Sequence, residues 1–111
     1  MNFSQLQLEV LNWSINNFGN QPSWKPLLGV QEEVGELSHA YLKRSQGIRK
    51  SDTGWRAEME DAVADIIIYL ADFCSKEAIS MQEVVEETWS KVSKRDWKKN
   101  PEDAHVRVSE Q

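Results

Sequence analysis

The chain has 111 residues, 40% of them hydrophobic and 28% charged, with a formal charge of −5. That composition fits one soluble globular domain, and the negative balance argues against a nucleic-acid polymer as partner. No apolar run approaches the roughly 20 residues of a membrane span. Cys74 stands alone, which excludes an internal disulfide, and Met1 to Gln5 lack a secretory pattern, so the expected setting is the cytoplasm.

A first helix is expected over residues 4–18. Ser4 with Gln7 three residues on has the form of a capping box. Leu6, Val10 and Trp13 make one apolar stripe, and Leu8, Leu11, Ile15 and Phe18 make a second, so this helix needs two neighbours. The Gly19 to Ser23 stretch, with Pro22, ends it.

A second helix starts between Trp24 and Pro26 and runs to about Gln46, with Gly47 as its C-cap. Lys43 and Arg44 lie at the negative end of its dipole. Within it, Gln31-Glu32-Glu33-Val34-Gly35-Glu36-Leu37 is the most informative stretch. On a helix Glu32, Glu33 and Glu36 fall within an arc of roughly 100°, beside an apolar stripe of Val30, Val34, Leu37 and Tyr41. Glu32 and Glu36 are one turn apart, where like charges cost a few tenths of a kcal/mol. Carboxylates at a core edge need water, cations or a metal. A solvated acidic face is the ordinary explanation, but the apolar neighbours and the lack of Lys or Arg one turn away weigh against it. Oxygen ligands on helices suit a hard cation, magnesium or manganese.

A polar, basic loop from Gln46 to Gly54 leads to a third helix, from about Trp55 to Glu77. Residues 62–74 are nearly continuous in apolar side chains, which marks this helix as the central one; the run is too long for a buried strand. Glu58, Asp61, Asp65 and Asp72 share a face within roughly 60°. If the second and third helices pack antiparallel, their acidic strips converge on one divalent site.

The fourth helix begins at Ser80 with Glu83 as a second capping box. It carries Val84, Val85, Trp89 and Val92, turns basic through Lys91, Lys94, Arg95, Lys98 and Lys99, and ends at Asn100-Pro101. Residues 1–100 are therefore read as one domain and 101–111 as a disordered tail.

Acidic metal ligands with separate basic groups suit phosphate esters and anhydrides. Lys43, Arg44, Arg49, Lys91, Lys94 and Arg95 are candidates to hold phosphate. Glu32, at the edge of the acidic arc, is the natural general base. Of five tryptophans, Trp13 and Trp89 are expected in the core. Trp24, Trp55 and Trp97 sit at element ends, and Trp24 is the preferred platform for a nucleobase.

These features together resemble the MazG-type all-α nucleoside triphosphate pyrophosphohydrolases, over roughly residues 24–97. Their pattern is E-E-x-x-E on one helix, a loop, then E-x-x-D leading into an apolar helix. Glu32, Glu33 and Glu36 match the first half. Asp65, followed by Ile-Ile-Ile-Tyr69-Leu70, resembles the end of the second. Ala62 stands where that pattern has its glutamate; Asp61, on the same face, is the favoured substitute, and Glu58 with Asp61 is the alternative pair. The resemblance implies a four-helix bundle-like fold whose core is completed by oligomerisation, as a homodimer or homotetramer. It also implies magnesium at Glu32, Glu33, Glu36, Asp61 and Asp65, and hydrolysis of a (deoxy)nucleoside triphosphate to monophosphate and pyrophosphate in nucleotide-pool house-cleaning.

Two other readings fit parts of the chain. Glu36-Leu-Ser-His39 has the Glu-x-x-His spacing of di-iron bundles, with Glu102-Asp-Ala-His105 as the only second pair. A non-catalytic helical interaction module would use the apolar stripes for a partner and leave the acids in solvent.

Overall fold

The computed structural model describes residues 1–102, which form four α-helices and no strand: α1 (Phe3–Phe18), α2 (Trp24–Gln46), α3 (Asp52–Lys76) and α4 (Met81–Val92). The all-α expectation holds. The expected tail falls, from residue 103 onward, outside the described residues.

Local capping explains where each helix boundary departs from expectation. Asn2, not Ser4, caps α1: its Oδ1 accepts from the Gln5 backbone N–H at 2.8 Å, and the Gln5 side chain accepts from the Asn2 N–H. Gln7 is thereby free to reach across the molecule. Its Nε2 donates to the Ile79 carbonyl at 2.6 Å and its Oε1 accepts from the Met81 N–H at 3.1 Å, which pins α1 to the α3–α4 turn. Ser51 caps α3 by accepting from the Gly54 N–H, so the helix starts at Asp52, three residues before Trp55. At the other end, α4 stops at Val92 and does not continue to Asn100. The Asp96 side chain accepts from the backbone N–H groups of Lys98 and Lys99, a local bond that competes with helix continuation.

Helix α3 is central, as its composition requires. It packs along α2 on one side and against α1 on the other, while α4 rests on α1. Two contacts fix the α2–α3 register as antiparallel: Gly29 meets the Tyr69 ring, and His39 lies edge-on to Trp55 with centroids 5.8 Å apart. A Cβ on Gly29 would fall 2.5 Å from that ring, so glycine is what lets the tyrosine lie on the α2 backbone. Near the other anchor, buried Ala40 and Ala62 keep the helices close.

This register corrects the expected α2 seam. Val34 and Tyr41 are exposed; the side facing α3 runs through Pro26, Gly29, Glu33 and Ala40, so a carboxylate sits in the seam itself. The small core joins Val10, Ala71, Cys74 and Met81, with Phe3, Leu6, Leu70, Phe73 and Ile79 packed around it. Trp55 is the only tryptophan in the interior, and its Nε1 donates to the Ile48 carbonyl at 2.9 Å, holding the α2–α3 loop. Trp13 and Trp89, expected in the core, are 54% and 64% exposed. The radius of gyration is 18.0 Å, against about 13 Å for a compact chain of this length. Large apolar side chains on every helix, among them Ile15, Leu28, Tyr41, Val63 and Trp89, remain in the open. No described helix is long and apolar enough to cross a membrane.

Candidate functional site

A cavity of about 840 Å³ opens between α1 and the α2–α3 pair. Its α1 wall is built by Glu9, Val10, Trp13, Ser14 and Phe18; Gln21, Lys25 and Pro26 close one end, and Glu33, Asp65, Tyr69 and Asp72 form the opposite wall. Antiparallel packing produces this arrangement, because it sets the acidic turn of α2 beside the middle of α3.

Glu33 is the centre of the acidic wall. It is 9% exposed, and its Oε2 is buried without a hydrogen-bond partner. Burial first, then the charges of Glu36 and Asp65, hold its carboxyl above the ordinary value of 4.5; a hydrogen bond the protonated form gives Glu36, and the charge of Glu32, push the same way. Glu32, Glu36 and Asp65 therefore act on Glu33 from two helices. None of them is in any of the five ion pairs among the described residues.

They are not drawn into a ligand shell. Among the described residues no three His, Cys, Asp or Glu side chains are grouped to hold a metal as they stand. Glu32, Glu36 and Asp65 are exposed. The buried orphan oxygen of Glu33 and an oxygen-only donor set fit a hard divalent cation.

Tyr69 crosses the wall. Burial first, then the charges of Glu32, Glu33, Asp65 and Asp72, raise its phenol pKa, so it stays protonated and can donate. Beneath it lies a polar bridge from α3 to α1. Lys76 pairs with Asp72, the Ser14 hydroxyl donates to Asp72 Oδ2 at 3.2 Å, and Lys76 Nζ donates to Ser14 Oγ at 3.4 Å. Ser14 is 2% exposed. Ser14 and Asp72 are committed to this bridge, and the Gln21 amide gives one of its two N–H groups to the Phe18 carbonyl at 2.7 Å, so Tyr69, Lys25 and the second Gln21 N–H are donors on the cavity wall.

Other expected residues stand elsewhere. Asp61 is exposed beside buried Ala62 and is not among the charges acting on Glu33 or Tyr69. Its alternative, Glu58, pairs with Lys50. Lys43 donates to Gln46 at 3.2 Å, roughly 15 Å along α2 from Glu33. Arg44 pairs with Asp52 at 3.6 Å, Arg49 is exposed in the loop with φ of 70°, and Lys91 pairs with Glu87 on α4. Lys94 and Arg95 follow the end of α4. The cavity wall includes none of these cations; it includes Lys25, which the sequence reading passed over. Lys25 precedes Glu32 by seven residues, two turns on the same face, and that spacing was its signal. Trp24 does not line the cavity, though Lys25 Nζ lies 5.8 Å over its ring, and the aromatic wall is Trp13 with Phe18, edge to face at 5.6 Å. His39 packs on Trp55, and the second Glu-x-x-His pair reaches past the described residues. Comparison with family models, curated proteins and solved structures finds no match to this chain.

Proposed function

We propose that the chain is a MazG-type, magnesium-dependent pyrophosphohydrolase of nucleoside triphosphates, with manganese as an alternative ion. The observation that carries this reading is the orphaned, buried carboxylate of Glu33, which with Asp65 lines a cavity whose other wall is aromatic and which feels the charges of Glu32 and Glu36 beside it. Acids without cationic partners on one side and rings on the other match a ligand with a phosphate end and a flat end.

Glu33, Glu36 and Asp65 would hold the ion, with Glu32 beside them. A bound divalent cation supplies charge neutralisation for phosphate oxygens and acidifies the attacking water. Glu32, solvent-facing at the edge of the cluster, accepts that water's proton. The water oxygen bonds to the α-phosphorus, the bond from that phosphorus to the α–β bridging oxygen breaks, and pyrophosphate leaves with the electron pair. Tyr69 and Lys25 donate to phosphate oxygens, and Trp13 with Phe18 receives the base.

The same reading includes a homodimer or homotetramer. The extended shape and the exposed apolar side chains of all four helices support it, since a second copy would cover them. It would also bring further cations from another chain to a wall where Lys25 is the cation that lines the cavity. The test is a panel of nucleoside triphosphates with magnesium, read as pyrophosphate release. We expect turnover that Glu33→Gln lowers at least a hundredfold; no turnover of any nucleotide would favour a helical interaction module.

A further inference from the structure

The aromatic end of the cavity has its own polar character. Glu9 stands one turn before Trp13 on the same face of α1, and both line the cavity. Glu9 is in none of the ion pairs among the described residues. Gln21 gives one of its two amide N–H groups to the Phe18 carbonyl, which leaves its other N–H and its Oε1 to offer. The edge beside the rings thus presents the two carboxylate oxygens of Glu9 as its charged acceptors, with the mixed amide of Gln21 and the Trp13 indole N–H beside them. A base stacked there meets the Glu9 carboxylate at its rim. Uracil and thymine flank their one ring N–H with two carbonyl oxygens, which a carboxylate repels; cytosine and adenine present an exocyclic amino group, which donates.

We propose that Glu9 is a specificity-determining residue that selects bases carrying an exocyclic amino group, reading that group with its carboxylate while Trp13 and Phe18 hold the ring. This rests on the nucleotide reading above but concerns only the base end. A hydrogen bond to a charged acceptor, discounted for the exposure of Glu9, corresponds to a preference of roughly tenfold.

The test uses free nucleosides, so that neither metal nor phosphate enters. Deoxycytidine and deoxyuridine are titrated into the full chain and followed by the NMR signal of the Trp13 indole N–H, assigned by its loss in Trp13→Phe. We expect deoxycytidine to shift that signal at about tenfold lower concentration than deoxyuridine. Glu9→Gln, an exposed helical change with little cost to folding, should bring the two within about twofold. Equal binding, a preference for deoxyuridine, a preference that survives in Glu9→Gln, or no shift with either nucleoside would overturn the proposal. Pyrophosphate release from dCTP and dUTP is measured in parallel. Turnover without nucleoside preference would sink the role of Glu9 alone; nucleoside preference without turnover would sink the hydrolase reading alone.

Discussion

Replacing Glu33 by glutamine should stabilise the protein, which is unusual for a buried residue in a helix seam. The wild-type carboxylate carries an unpaired buried oxygen and faces Glu36, Asp65 and Glu32. Gln keeps the shape, removes the charge and turns an amide N–H₂ toward those acceptors. An unsatisfied buried polar group costs about 1–3 kcal/mol, and 1 kcal/mol moves Tm by about 4–8 °C in a domain near this size. Because Glu33 borders an open cavity, we expect the lower end, a rise of about 5 °C at pH 8. The gain must depend on pH. The folded chain holds the Glu33 proton more tightly than the unfolded chain, so the stability that proton brings is complete below the ordinary value of 4.5 and is lost as pH rises through the raised one. The advantage of Glu33→Gln should therefore shrink as pH falls from 8 toward 4.5. Thermal unfolding of both proteins at equal concentration across that range is the assay. An unchanged or lower Tm at pH 8, or a gain that ignores pH, would refute the reasoning.

Asp72→Ala leaves the Lys76 ammonium, whose side chain is 8% exposed, without its counter-charge. The expected loss is about 3–5 kcal/mol, read as a lower urea midpoint, and Asp72→Leu with Lys76→Met should recover most of it. Gly29→Ala drives a methyl into the Tyr69 ring and should cost about 1–3 kcal/mol; in a Tyr69→Ala background the same change should be neutral or favourable. In sedimentation equilibrium we expect dimers or tetramers at micromolar concentration; a purely monomeric chain would remove assembly from the account.

Helix number, order and the central place of α3 were legible because long apolar periodicities and caps at Gly47 and Ser80 are local signals. The partnership of Glu33 with Glu36 and Asp65 was legible because helical spacing puts each strip on one face and antiparallel packing joins them. What escaped was everything set by how far helices rotate about their axes. Val34 and Tyr41 matched an apolar stripe as well as the true seam does, and nothing in the sequence says that Gly29 admits the Tyr69 ring and so turns Glu33 inward. Trp13 shares its stripe with Leu6 and Val10, and that stripe is the covered one; its Trp13 end borders the open cavity and stays exposed, which only packing decides. Arg49, Lys91, Lys94 and Arg95 were chosen for being basic at element ends. Arg49 stands in the α2–α3 loop, more than about three turns along α2 from Glu33, and the other three stand off because α4 rests on α1 and not on the acidic pair, a tertiary choice that local pattern does not encode.

Manganese binding tests the central claim most directly, since the claim is that acids from α2 and α3 act together on one divalent ion. Titration of the full chain with Mn²⁺, followed by the EPR signal of the free ion, should show saturable binding. Asp65→Asn, an exposed change on α3, should weaken it at least tenfold, and Glu33→Gln on α2 should do the same. Absence of saturable binding, or binding indifferent to either substitution, would contradict the account.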